Sequence, residues 1–145
     1  MFYLAYGMNT NLDAMEYTCP GAVCIGVAKL IDYKLVFRIH ADIESSIGYN
    51  VYGALWHVNT DHMSVLDQCE GVPDYYVRRI VKVQPKPNVL PDAMLDRNKC
   101  VDAWVYEMVD KSSLLKPHTE YYTCCTDGYQ QVGLDLSQIE DALRG

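Results

Sequence analysis

The sequence lacks any run approaching the roughly 18 to 20 consecutive apolar residues that cross a bilayer, and its longest apolar stretch is broken by Lys29, Asp32 and Lys34. No membrane span or membrane partner is expected. The start, Met1-Phe2-Tyr3-Leu4-Ala5-Tyr6-Gly7, has no basic region and too short an apolar stretch for a secretory signal, which points to a cytoplasmic protein. Cationic residues are scarce: 12 lysines and arginines stand against 19 acidic residues, a net charge of −7. Such a field repels polyanions and argues against a nucleic-acid partner.

Metal-binding spacings are missing as well. There are six cysteines but no Cys-x-x-Cys pair, and the adjacent Cys124 and Cys125 are badly placed to chelate one ion or to close an ordinary disulfide. They read as reduced, small buried apolar side chains. His40, His57, His62 and His118 show no i, i+4 pairing and read as surface or packing residues. No metal is expected. Gly-x-Gly-x-x-Gly, the phosphate-cradling Gly-x-x-x-x-Gly-Lys-Ser/Thr loop, His-Glu-x-x-His and Gly-x-Ser-x-Gly are all absent, so dinucleotide, ATP and serine-hydrolase chemistry lose their usual support.

What is present suits a single domain over residues 1–145, since half the residues are apolar and 21% are charged. Residues 2–6 read as a strand ended by Gly7. Asn9-Thr10-Asn11 then leads into helical spacing at Leu12 and Met15, stopped by Pro20-Gly21. Residues 22–39 supply one long strand or two, 40–50 read as an irregular connection, and 51–58 resume as a strand. Asn59-Thr60-Asp61 starts a helix that ends at Gly71. Residues 75–83 form a strand. Pro85, Pro87 and Pro91 make 84–99 a loop, 100–109 form the last strand, and helices begin at Pro117 and near Leu136. The order β-α-β-β-α-β-β-α-α lacks strict βαβ alternation. It predicts an α+β fold with a small mixed, barrel-like sheet flanked by helices.

Two features could carry chemistry. The first is the strand that runs into glycine at Tyr6-Gly7-Met8-Asn9, where freed backbone N–H groups can hold a carboxylate; the same residues also suit an ordinary tight turn. The second is Glu70, at a helix end directly before Gly71. It can be a solvated helix terminus, or a carboxyl whose ionised form is disfavoured by the negative end of the helix dipole, as acid-base work requires.

These pieces resemble the gamma-glutamylcyclotransferase-like family. Phe2 to Asn9 is similar to that family's Tyr-Gly-Ser-Asn loop, and Gly26 to Phe37 is similar to its second segment. Tyr52-Gly53-Ala54-Leu55-Trp56, Leu66 to Val72 and Tyr76-Val77-Arg78 resemble its catalytic region, and Pro117 to Tyr121 with Gly128 its carboxy-terminal helix. The resemblance covers roughly residues 2–143 and implies the family's small barrel fold. It further implies Glu70 as catalytic glutamate and Tyr3, Leu4, Ala5, Tyr6, Gly7, Met8 and Asn9 as the substrate-binding loop, with Tyr121 on the pocket and Tyr76 and Arg78 near it. The implied reaction cyclises the γ-glutamyl group of a small amine, amino acid or peptide conjugate to 5-oxoproline, with no cofactor, in a monomer or homodimer. An enzyme of this kind is a cyclising, amide-cleaving lyase or acyltransferase. The alternative is a non-catalytic small-molecule-binding protein that keeps the same pocket. Met8 stands where the family usually has serine, which bears on substrate identity, and Thr10 replaces an apolar residue as a local packing change.

Overall fold

A computed structural model describes residues 1–145. Five strands, β1 (Phe2–Ala5), β2 (Val23–Arg38), β3 (His40–His57), β4 (Tyr76–Pro85) and β5 (Val101–Met108), close into a barrel in the order β1-β3-β2-β4-β5. Every pairing is antiparallel except the closing one, where β1 runs parallel to β5 with Tyr3 opposite Trp104. Four helices flank the sheet: α1 (Leu12–Thr18), α2 (Thr60–Cys69), α3 (Thr119–Val132) and α4 (Ser137–Arg144). The predicted fold class and element order are both observed.

Alternation along the strands sorts side chains onto two cores. On β1, Leu4 and the following Tyr6 join Val51 and Leu55 of β3 in one cluster, which α3 and α4 complete with Cys125, Tyr129, Ile139 and Ala142. Tyr3 and Ala5 point the other way and join Ala54 and Trp56, with Met15 of α1 and Met63 and Leu66 of α2. The strand that leads to the glycine loop is therefore clamped on both faces.

Local chemistry explains the helix starts. The Asn11 carboxamide oxygen accepts from the N–H groups of Asp13 and Ala14, and Asn59 forms a reciprocal capping box with His62. His62 is thus neither a bare surface residue nor a ligand.

The segment 40–50 corrects the sequence reading. It is strand, the first part of β3, turned back on β2 at Ile39. Ile31 pairs with Asn50 and Tyr33 with Ser45, so Ser46 to Tyr49 bulge out opposite Asp32, whose carboxylate accepts from the Gly48 N–H. The Ser, Gly and Asn cluster that suggests a loop is a bulge within a strand, because ladder pairing with β2 outweighs local turn preference. Pro85 likewise ends β4 and pairs with Ala28 instead of lying in the loop; a strand end does not need its missing N–H. A short 3-10 turn at Asp92–Met94 interrupts the loop that follows.

Candidate active site

The glycine loop and the end of α2 meet at a cavity of ≈ 190 Å³. Tyr6 and Gly7 bring the loop in from β1, and Met8 to Thr10 make one 3-10 turn with Thr10 Oγ1 donating to the Gly7 carbonyl at 2.7 Å. Thr10 is fully buried. Gly128 of α3 allows this: a Cβ there would lie 2.3 Å from Thr10 Oγ1 and 2.5 Å from the Asn11 nitrogen, so only glycine lets α3 rest against the turn. A Cβ on Gly7 would lie 2.9 Å from the Ala41 Cβ and 3.1 Å from Tyr121 Oη. Here too the absent side chain is what lets the segments approach.

The N–H groups of Tyr6 and Gly7 donate to no other protein group, and both residues line the cavity. Two uncommitted backbone donors beside a concave pocket are the elements of an anion site.

Glu70 caps the end of α2, its N–H donating to the Leu66 carbonyl at 2.9 Å. Its carboxylate faces the cavity, where burial pushes its pKa up to about 7. Asn9 Nδ2 donates to Glu70 Oε1 at 3.4 Å and to Tyr3 Oη at 3.0 Å. No lysine or arginine lines the cavity. A carboxyl group poised near neutrality, with no cation to hold it ionised, can both accept and return a proton.

The remaining walls are mostly aromatic. Tyr76 Oη donates to the Ala41 carbonyl at 2.6 Å and the Ala41 N–H donates to Tyr121 Oη at 3.0 Å, so one residue of β3 fixes a phenol from β4 and another from α3. Tyr6 Oη donates to the Tyr106 carbonyl at 2.6 Å, and Tyr6 in turn accepts from Tyr129 Oη at 2.7 Å. Burial raises the pKa of the Tyr3, Tyr6, Tyr76 and Tyr121 phenols, which keep their protons across the neutral range.

Of the residues singled out from sequence, Tyr3, Tyr6, Gly7, Met8, Asn9, Glu70, Tyr76 and Tyr121 line this one cavity. Leu4 and Ala5 do not, because their side chains fill the two cores on either side of β1. Sequence reasoning missed His40, Tyr75 and Tyr106. His40 packs edge to face against Tyr75 and Tyr121, as a packing residue would, and it also lines the cavity, with Nδ1 2.7 Å from Tyr75 Oη. Tyr75 directly precedes Tyr76 and could have been found from that segment; His40 gave no local signal. Larger cavities of ≈ 360 and ≈ 480 Å³ contain none of the candidate catalytic or substrate-binding residues. All six cysteines are free, but only Cys19 and Cys125 are the small buried side chains expected; Cys24, Cys100 and Cys124 are half-buried and Cys69 is exposed.

Comparison with known proteins bears on the same region. The family model described as gamma-glutamyl cyclotransferase, AIG2-like, matches residues 3–124. A gamma-glutamylcyclotransferase of Bos taurus is 37% identical over 147 residues, covering 92% of this chain and 72% of the relative. That of Mus musculus is 36% identical over 97 residues, covering 58% of this chain and 52% of the relative, so the match spans about half the length of the mouse protein. A solved structure named gamma-glutamyl cyclotransferase superposes with a TM-score of 0.82 at 26% identity, covering 98% of this chain and 85% of the other. The matched residues include the glycine loop, the end of α2 and the start of α3, the segments that converge on the cavity, and the chain belongs to the gamma-glutamyl cyclotransferase, AIG2-like family.

Proposed function

We propose that this chain, as one domain, is a gamma-glutamylcyclotransferase whose general acid-base residue is Glu70. The observation that carries the reading is Glu70 itself: a carboxyl with its pKa pushed up to about 7 by burial, facing the same cavity as the uncommitted N–H groups of Tyr6 and Gly7. The substrate is a small γ-glutamyl conjugate.

Its α-carboxylate binds the loop N–H groups, which brings the α-amino group toward Glu70 and folds the flexible glutamyl chain for five-membered ring closure. The amine nitrogen attacks the γ-carbonyl carbon, and the carbonyl π pair moves onto oxygen. Glu70 takes the proton released from that nitrogen. As the tetrahedral intermediate collapses, the γ-carbon to leaving-nitrogen bond breaks and Glu70 returns the proton to the departing amine. The products are 5-oxoproline and a free amine, and no water or electron acceptor enters the balance. Proton transfer of this kind contributes about 10²- to 10⁴-fold. Holding the chain in a reactive conformation adds to it, since intramolecular ring closure is limited by orientation.

The test is 5-oxoproline release from γ-glutamyl amines and γ-glutamyl amino acids, with the wild-type protein beside Glu70→Gln. Release that is lost in the variant supports the reading. No release from folded wild-type protein across the panel favours a small-molecule-binding protein that keeps the pocket.

A further inference from the structure

Asn9 falls in the loop that the family resemblance assigns to substrate binding, yet its side-chain nitrogen is committed to the protein. A carboxamide has two N–H donors and one acceptor oxygen. Both donors of Asn9 find acceptors, Tyr3 Oη at 3.0 Å and Glu70 Oε1 at 3.4 Å. Turning the amide over would set its oxygen against the ionised Glu70 carboxylate, acceptor against acceptor, so the ionised form of Glu70, the one that acts as base, selects this orientation. The main chain of Asn9 is held as well, its carbonyl accepting from Trp56 Nε1 at 3.0 Å.

Asn9 Nδ2 is the one protein donor to the Glu70 side chain. The other groups around that carboxylate are the phenols of Tyr3, Tyr6, Tyr75, Tyr76 and Tyr121, the Cys69 thiol and the His40 imidazole, with the Asp42 carboxylate behind Tyr76. None of them hydrogen-bonds to it. The Asn9 oxygen has no protein donor, although Asn9 is only 7% exposed and no buried side-chain oxygen in the protein is left unpaired. That oxygen is therefore not sealed off from solvent, and Asn9 lines the cavity.

We infer that Asn9 is the positioning residue of this site: its amide nitrogen fixes the Glu70 carboxylate, and its amide oxygen faces the cavity as an acceptor for the substrate's α-amino group. This rests on the cyclotransferase reading of Glu70. The amide oxygen takes no proton; it orients one N–H of the amine so that the nitrogen lone pair is aimed at the γ-carbonyl, while Glu70 removes the proton that must leave. The assignment moves Asn9 from general substrate contact to a residue that acts on nucleophile and base together.

The experiment compares Asn9→Asp, Asn9→Ser and Glu70→Gln with wild type. It follows 5-oxoproline release from the panel of γ-glutamyl amines and amino acids across about pH 5.5 to 9, the range in which a base near neutrality titrates, with folding of each variant checked by its thermal transition. Asn9→Asp keeps the size but sets a second carboxylate against Glu70. Its expected result is a kcat lower by about 10- to 100-fold with the rising limb of the pH profile moved to higher pH, because a like charge disfavours ionisation. Asn9→Ser, which is less disruptive, is expected to lose kcat while KM stays within about threefold. An unmoved pH limb in Asn9→Asp, or a Ser variant that raises KM alone, overturns the inference while leaving Glu70→Gln inactive. A Glu70→Gln variant as active as wild type overturns the underlying reading instead.

Discussion

His40 Nδ1 lies 2.7 Å from Tyr75 Oη, joining the first residue of β3 to the segment between α2 and β4 at the edge of the cavity. The two rings meet edge to face with centroids 5.6 Å apart, and His40 packs against Tyr121 in the same way at 4.8 Å. Burial lowers the His40 pKa, and the nearby His118 adds to the effect, so the ring is neutral at physiological pH. A neutral imidazole can accept the phenol's proton in this hydrogen bond. Tyr75→Phe removes the hydrogen bond and keeps the ring. The bond is partly exposed and worth about 0.5–1.5 kcal/mol. The expected outcome is a KM raised by about two- to tenfold with kcat held, measured by steady-state 5-oxoproline release.

Glu70→Gln separates catalysis from stability. Turnover is expected to fall by about 10²- to 10⁴-fold, and in the wild type kcat/KM is expected to rise with pH through about 7 as Glu70 ionises. Stability moves the other way. The folded-state pKa of about 7 lies above the ordinary 4.5, so between those values the native state holds the proton more tightly than the unfolded chain and wild-type stability declines as pH rises. Gln lacks this dependence. Urea unfolding is expected to find the variant about 1–3 kcal/mol more stable relative to wild type at pH 8 than at pH 4.5, a figure reduced for solvent reaching the carboxylate through the cavity.

Gly128→Ala is expected to destabilise the protein by about 1–3 kcal/mol through overpacking, because its Cβ would meet Thr10 Oγ1 at 2.3 Å and the backbone of Asn11. Asn11 and Thr10 belong to the turn that carries Asn9, so activity is expected to fall with stability. Thermal unfolding and kcat/KM on the same preparation check both.

Asp42→Asn tests the support behind the cavity. Asp42 is fully buried and accepts from Arg38 Nε at 2.9 Å, Lys111 Nζ at 2.8 Å and the Met108 N–H at 2.8 Å, which ties the β2–β3 hairpin to β5 next to Ala41. Removing its charge leaves the buried Arg38 guanidinium without its closest counterion. Breaking one side of such a pair costs about 3–5 kcal/mol. The midpoint of chemical denaturation is expected to fall accordingly.

The sequence by itself determined the order and type of the elements, since those follow from short-range physics. Asn11 and Asn59 cap helices through their own neighbours, Gly133 ends α3 at φ +80, and apolar periodicity separates strand from helix. It also marked Gly7, where a strand runs into a loop with free backbone N–H groups, and Glu70, a carboxyl at the negative end of a helix dipole. The tertiary structure decided the rest. Ser45 to Asn50 look like a loop because their side chains favour turns, yet their backbone has a partner in β2 that no local window contains. Leu4 and Ala5 share the loop's sequence neighbourhood but face the two cores, a consequence of strand alternation and barrel closure together. His40 reaches the cavity through a contact 35 positions away, and Asn9 reaches Glu70 across 61. A carboxyl group's pKa rises as it loses solvent, and for Glu70 that burial comes largely from segments distant in the chain, so its raised pKa exists only once the barrel has closed.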